Sequence, residues 1–384
     1  MNHSIYLDNS ATTPTAPEVV EAMSPYFSAS YGNASSLHTL GRRARRAVEE
    51  SRGTIAGLLG AEPEEIVFTA GATEANNLAI LGTARSSNGR KHLITTAIEH
   101  HAVLHTVQWL RTQGFDATIL DVDATGRVDP EQVRDAIRPD TLLVSVMTGN
   151  NEIGTLQPID EIGRICRQHG VLMHTDAVQA FGKVRLPMDA VDLLSISAHK
   201  FHGPKGIGFL FVRKGVKLAP ILHGGGHEGG RRSGTENVPG IVGTAAAAQL
   251  AIDEQAATAS RLRALRERML DQVMQLPGTR LNGHREESLP HIANFSFEAI
   301  EGESLVMRLD ERGIAVSTGS ACSSPTLEPS HVLVAIGVPI SMAHGSLRIS
   351  TGRQTTAREI DEFLGVLPEV VDGLRSISPF KVGG

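Results

Sequence analysis

The chain has 384 residues, enough for a large core and, as a soft prior, two domains. Apolar residues make up 41% and charged ones 20%, and the net charge of −6 is spread over interspersed acids and bases, which argues against a nucleic-acid or anionic-membrane surface. The two cysteines exclude a disulfide framework, and no window approaches the about 18 uninterrupted apolar residues that suggest a membrane-spanning helix.

The opening MNHSIYLDNSATTP has no basic segment ahead of an apolar run, so no secretory leader is expected and the default location is the cytosol. The basic cluster 42-RRARR-46, followed by Glu49 and Glu50, predicts the solvated face of a helix. Strands are predicted at 65-EIVFT-69, 92-HLITTA-97, 117-ATILDV-122, 141-TLLVSVM-147, 171-VLMHTD-176 and 192-DLLSIS-197. Amphipathic helices fall between them at 73–84, 101–114 and 158–170. Near-continuous Val, Ile and Leu strands separated by helices predict a mainly parallel sheet covered on both faces. A further strand is expected at 206-GIGFLFVR-213, then a Gly-rich polar segment, 223–240, and one long helix over roughly 241–275. Short strands and helices resume from about residue 280, including 291-HIANFSF-297, 303-ESLVMRLDERG-313 and 346-SLRIS-350, as a smaller C-terminal domain.

Three stretches carry chemistry. Lys200, in 195-SISAHKFHGPKG-206, follows a buried-looking strand, where a semi-enclosed lysine can lose its proton and attack a carbonyl. The plain alternative is a surface hairpin lysine, which describes Lys205 better. Asp176 ends an apolar strand; it either caps the following helix or pairs with a cationic ring nitrogen. The run 65-EIVFTAGATEANNLAI-80 is strand, tight turn and helix, placing the N–H groups of Gly71, Ala72 and Thr73 at a helix N-terminus suited to an anion. A literal GxGxxG at 224-GGGHEG-229 has no helix or βαβ unit behind it, so a dinucleotide site is not expected. The spacing of His223 and His227 on glycine-rich backbone is equally poor for zinc. Cys166 lies at apolar helical spacing and reads as a structural thiol. Cys322, in 317-STGSACSSP-325, sits among Ser and Gly, which pack no core, and calls for a chemical reason.

At these residues the chain resembles fold-type I enzymes dependent on pyridoxal 5'-phosphate, and more closely the cysteine desulfurases of the NifS/IscS type. The resemblance runs through 6-YLDNSATTP-14, 31-YGNASSLH-38, 68-FTAGATEANN-77, 150-NNEIGTLQP-158, 171-VLMHTDAVQAFGK-183, 195-SISAHKFHGPKGIG-208, 231-RRSGTENVPG-240, 317-STGSACSS-324 and 346-SLRISTGR-353. It implies an α/β fold with a large domain over 15–255, and a smaller α+β domain from 1–14 and 256–384 carrying a cysteine loop at about 317–330. It implies that Lys200 holds the cofactor as a Schiff base and that Ala72, Thr73, Ser197 and His199 bind its phosphate. Asp176 would face the ring nitrogen and Gln179 the ring hydroxyl, with Asn151 near the ring and His100 stacked on it, moving protons. Thr235 would reach the phosphate of a partner subunit, so a homodimer is expected. Asn33 and Arg348 would grip the carboxylate of L-cysteine, and Cys322 would take the substrate sulfur as a persulfide and release alanine. From Cys322 the sulfur would pass to acceptor proteins for iron–sulfur assembly or tRNA thiolation, with any iron–sulfur contact at Cys322 transient and no resident metal. Ala34, where many relatives have proline, and Ser323, Pro325 and His331 depart from the usual pattern and bear on partner choice. Against this stand a selenocysteine lyase, an aminotransferase of the same fold, which leaves Cys322 unexplained, and a non-catalytic sulfur carrier.

Overall fold

The computed structural model describes residues 5–319 and 329–383. Cys322 and most of the expected cysteine loop therefore lie outside the described residues.

A short strand, β1 (Ile5–Tyr6), precedes the main sheet, which is built from β2 (Ile66–Thr69), β3 (His92–Thr96), β4 (Asp116–Leu120), β5 (Thr141–Ser145), β6 (Leu172–Asp176), β7 (Leu193–Ser197) and β8 (Gly208–Val212). Their order is β2-β8-β7-β6-β5-β3-β4. The strands β4, β3, β5, β6 and β7 run parallel, because helical crossovers separate them in sequence. The link 198–207 is too short for such a crossover, so β8 turns back antiparallel between β7 and β2. One strand thus departs from the parallel rule.

Alternation along each strand separates two cores. Phe68, Ile94, Val144, Leu194, Ile196, Phe209 and Phe211 face one side; Val67, Leu93, Leu143, Leu193 and Leu210 face the other. The first layer is closed by helices Thr39–Leu59, Ile159–Gln168 and Val238–Asp253, the second by Ala72–Arg85 and His101–Thr112. In the helix Thr39–Leu59 the arginines 42, 43, 45 and 46 are exposed while Ala44 is buried, the solvated face expected from the sequence. Cys166 is buried in the first layer, and burial together with nearby Asp192 pushes its thiol up to about 12.

The long helix expected over 241–275 is two helices, Val238–Asp253 and Gln255–Val273, meeting at Glu254. The first is Ala-rich and packs in the sheet core; the second contributes Leu262, Leu265, Met269 and Leu270 to a separate core. At the joint, the Arg353 guanidinium donates to both Glu254 carboxylate oxygens, at 2.7 and 2.8 Å. That second core also contains Ile5 and Leu7 and is bounded by an antiparallel sheet of β9 (Thr279–Asn282), β10 (Ile292–Phe297) and β12 (Ser346–Ser350), ordered β12-β10-β9. β1 pairs parallel with β11 (Ile314–Ala315), so the N-terminal segment returns to the C-terminal part of the chain. Leu289 and Ile292 belong to the sheet core, which ties the two parts together.

Candidate active site

Strands β2, β6 and β7 all run the same way, since β8 is antiparallel to both β2 and β7. Their C-terminal ends therefore meet along one edge, where open α/β sheets place ligands. A cavity of about 840 Å3 opens there, within the about 300–1,000 Å3 range of small-molecule sites.

The cavity's first wall is the turn from β2 into the helix Ala72–Arg85. Gly71 has φ of +148°, and a Cβ on Gly208 would stand 2.3 Å from the Ile196 carbonyl and 3.0 Å from Gly71 Cα. Only glycine at 208 lets the turn close on the end of β7, which brings Ala72 and Thr73 beside Ser197. The first N–H groups of a helix have no internal partner and carry the positive end of its dipole. This end of the cavity is built for an anion. Glu74 keeps the turn in place: its Oε2 accepts the Ala70 N–H at 2.7 Å, and Arg232 donates to both its oxygens.

Beyond Ser197 a short turn, Ala198–Lys200, carries His199 and Lys200 into the cavity lining. His199 Nδ1 shares a 3.0 Å hydrogen bond with Thr12 Oγ1. Burial, then the charges of Lys200 and Lys205, lower its pKa to about 4, so the imidazole is neutral at pH 7. Lys200 Nζ donates to the carbonyls of Ser10 at 2.6 Å and Ala11 at 2.7 Å, while its own carbonyl accepts Lys183 Nζ at 2.9 Å. Thr13 clamps the neighbouring His199 carbonyl through both its N–H and its hydroxyl, each at 2.9 Å. The reading of Lys200 as a surface hairpin lysine is excluded by this enclosure.

Asp176, at the end of β6, is buried. Its Oδ1 accepts the Val178 N–H at 3.0 Å and its Oδ2 accepts Asn76 Nδ2 at 2.7 Å. The residues after Asp176 form a turn rather than the expected helix, so its carboxylate caps a turn and also reaches Asn76. Gln179 donates to the Ser10 carbonyl at 2.9 Å. His100 caps the helix His101–Thr112, accepting the Ala102 N–H at 3.1 Å on Nδ1, and its ring lines the cavity. Burial lowers its pKa, more than Asp176 raises it. This histidine is thus both a helix start and part of the cavity wall.

Arg348 lies on β12, a strand buried throughout. Its Nη2 donates to Asp8 Oδ1 at 2.8 Å and its Nη1 to the carbonyls of Asn151 at 3.0 Å and Gly319 at 3.4 Å. The buried Nε has no hydrogen-bond partner among the described residues. Asn151 lines the same cavity. Two expected residues are not brought in: Asn33 is exposed, with its Oδ1 accepting the Ser35 N–H, and Thr235 is exposed beside a smaller cavity lined by Ala70 and Gly206.

Sequence reasoning missed Ser10, Asn76, Asp8 and Lys183. Asn76 left a signal, an amide on the buried face of a helix next to a cradle turn. Ser10 and Asp8 left none, because they act through contacts some 170–340 residues distant in sequence.

The geometry has close counterparts. The class-V aminotransferase family model matches residues 5–363. The chain is 52% identical to cysteine desulfurase IscS of Methanosarcina thermophila, over 98% of this chain and 94% of that one, and 49% identical to cysteine desulfurase IscS of Dictyoglomus turgidum, over 99% and 98%. A solved NifS-like protein superposes with a TM-score of 0.91 at 40% identity, covering 97% of this chain and 100% of that one. With near-complete coverage in both directions and the lysine, aspartate and helix terminus on one sheet edge, the chain belongs to the class-V aminotransferase family and, within it, to the cysteine desulfurases of the NifS/IscS type.

Proposed function

We propose that this cysteine desulfurase holds pyridoxal 5'-phosphate on Lys200, takes the sulfur of L-cysteine onto Cys322 and releases L-alanine. One observation carries the reading: an amine, a buried carboxylate and a helix N-terminus converge in one cavity, each matched to a different part of that cofactor. The anion end at Ala72, Thr73, Ser197 and neutral His199 suits a phosphate. Asp176 suits a pyridinium nitrogen, with Gln179 and Asn151 flanking the ring. Lys200 lies between them with a donor-rich Nζ. When bound, the ring supplies an electron sink for charge that develops on the substrate carbon.

The chain's own groups divide the remaining work. Arg348, whose Nε has no partner among the described residues, binds the substrate carboxylate, a planar fork-to-fork task suited to arginine. The neutral His100 ring packs over the ring site and exchanges a proton at its free nitrogen. Lys200 Nζ carries the proton of the substrate α-carbon. Cys322, as thiolate, attacks the substrate sulfur. An S–S bond forms and the C–S bond breaks; the electron pair stays on carbon, which takes up a proton as alanine forms. The persulfide sulfur is thereby oxidised and the carbon reduced, so no outside redox partner is needed.

The same reading includes a homodimer in which Thr235 of the partner subunit reaches the phosphate, sulfur acceptors for iron–sulfur assembly or tRNA thiolation, and a cytoplasmic setting, which suits a chain with two cysteines. It divides the chain into 15–255 and 1–14 with 256–384, supported by the two cores and the joint at Glu254. Among the described residues no helix is long and apolar enough to cross a membrane.

The test mixes holoenzyme with L-cysteine and a reductant and measures sulfide and alanine together. Equal yields that vanish in both Lys200→Ala and Cys322→Ala are expected, with the visible chromophore lost only in Lys200→Ala. Pyruvate with ammonia in place of alanine would overturn the reading.

A further inference from the structure

We propose that Glu152 is a positioning residue for the sulfur-accepting step, a buried carboxylate that anchors the C-terminal flank of the segment carrying Cys322 beside the cofactor cavity. The inference rests on the reading of Cys322 as the sulfur acceptor.

Glu152 follows Asn151, which lines the cavity, and is 5% exposed. Its backbone is clamped. Asn150 Oδ1 accepts the N–H groups of Glu152 at 2.8 Å and Ile153 at 3.0 Å, and the Glu152 carbonyl accepts Asn294 Nδ2 at 3.1 Å. From this rigid mount Oε2 accepts the Ser330 hydroxyl at 2.5 Å. The same Ser330 oxygen accepts the N–H groups of Val332 and Leu333, starting the helix His331–Ala335. On the other flank, Oε2 stands 3.5 Å from where a Cβ on Gly319 would lie. The Gly319 carbonyl accepts Arg348 Nη1, which also holds the Asn151 carbonyl.

Gly319 and Ser330 flank residues 320–328, within which Cys322 falls in sequence. One carboxylate thus holds the C-terminal flank by a hydrogen bond and lies near the glycine of the other, and its chain neighbour touches the cofactor cavity and the substrate arginine. An apolar side chain would fill the same space without the cost of desolvating an acid. Burial pushes the carboxyl up to about 7, against the opposing hydrogen bond from Ser330 and charge of Arg348. What the acid supplies, and packing does not, is a directional acceptor for Ser330.

The test compares Glu152→Gln, Glu152→Ala, Ser330→Ala and Ser330→Thr holoenzymes. Cys166 is buried with a raised pKa, so iodoacetamide labelling without substrate reads the environment of Cys322 directly. The expected result is an altered labelling rate in Glu152→Ala and Ser330→Ala. Persulfide formation on Cys322 in a single turnover should slow by about tenfold or more in both, less in Glu152→Gln, and recover in Ser330→Thr. The cofactor spectrum, the spectral change on adding cysteine and the melting temperature should stay as in the parent. Wild-type persulfide rates in Glu152→Ala and Ser330→Ala would overturn the proposal. So would a cofactor spectrum that collapses together with the persulfide rate, since that marks a merely structural residue. Cys322→Ala checks the underlying reading separately: continued persulfide formation there would remove the acceptor itself, whatever the Glu152 variants do.

Discussion

Two buried arginines, Arg52 and Arg348, meet opposite fates. Arg52 lies under β2, where its Nη1 and Nη2 donate bidentately to Glu228 at 2.8 Å each and Nη1 also reaches the Ile66 carbonyl. Its Nε faces Glu49, and its guanidinium lies 4.9 Å from the centre of the Phe68 ring. Glu228 in turn accepts the Phe68 N–H at 2.8 Å. Arg348, on β12, has one carboxylate oxygen, two carbonyls and a buried Nε with no partner among the described residues. An arginine that only holds a fold together is saturated. On the proposed reading, Arg348 keeps that donor for its ligand and tolerates the cost of an unsatisfied buried group until the ligand arrives.

The sharpest way to break this contrast is Arg348→Lys. A lysine keeps the charge but loses the planar fork, so kcat/KM for cysteine should fall about 100-fold, or about 2.7 kcal/mol, mainly through KM, with little change in melting temperature. A variant that loses stability instead would put Arg348 in the same class as Arg52.

The converse experiment is Arg52→Met. It strands the buried Glu228 carboxylate and should cost about 3–5 kcal/mol in denaturant unfolding. The KM of the folded fraction should stay unchanged. The double variant Arg52→Met with Glu228→Gln should recover part of the loss, because no lone charge remains.

The smallest expected effect concerns Glu99, a fully buried acid beside the cavity that accepts Thr96 Oγ1 and the Met147 N–H. Burial raises its pKa to about 8. A carboxyl raised above its unfolded value binds more protons in the native state, so its contribution to stability is present at low pH and is lost as pH climbs from about 4.5 to 8. Thermal unfolding between pH 5 and 8 should therefore show a downward slope that Glu99→Gln flattens. An unchanged slope would mean that Glu99 is already charged in the native protein.

Much of this was legible in advance because it is local. Apolar runs located the seven sheet strands within a residue or two; all but the edge strand β4 are buried on both faces and have no polar face to blur the pattern. The cradle turn, Asp176 and Lys200 were readable because each follows a strand end by a short, characteristic step. What the local pattern left open was non-local. The direction of β8 follows from the length of one connection, and the break at Glu254 is held by Arg353, about a hundred residues downstream. Asn33 and Thr235 could not be placed in the cavity of their own chain, because motif resemblance says what a residue does but not on which surface it lies.

By itself the sequence determined the alternation of strand and helix, the chemical identities at the strand ends and the family they belong to. Those follow from side-chain periodicity and from which functional groups each short stretch contains. Only the tertiary structure decided that the N-terminal segment lays the Ser10 and Ala11 carbonyls on Lys200, that Asn76 meets Asp176, and that Asp8 pairs with Arg348. Hydrogen bonds and ion pairs act over about 3 Å whatever the separation along the chain, and no local pattern encodes a partner that distant.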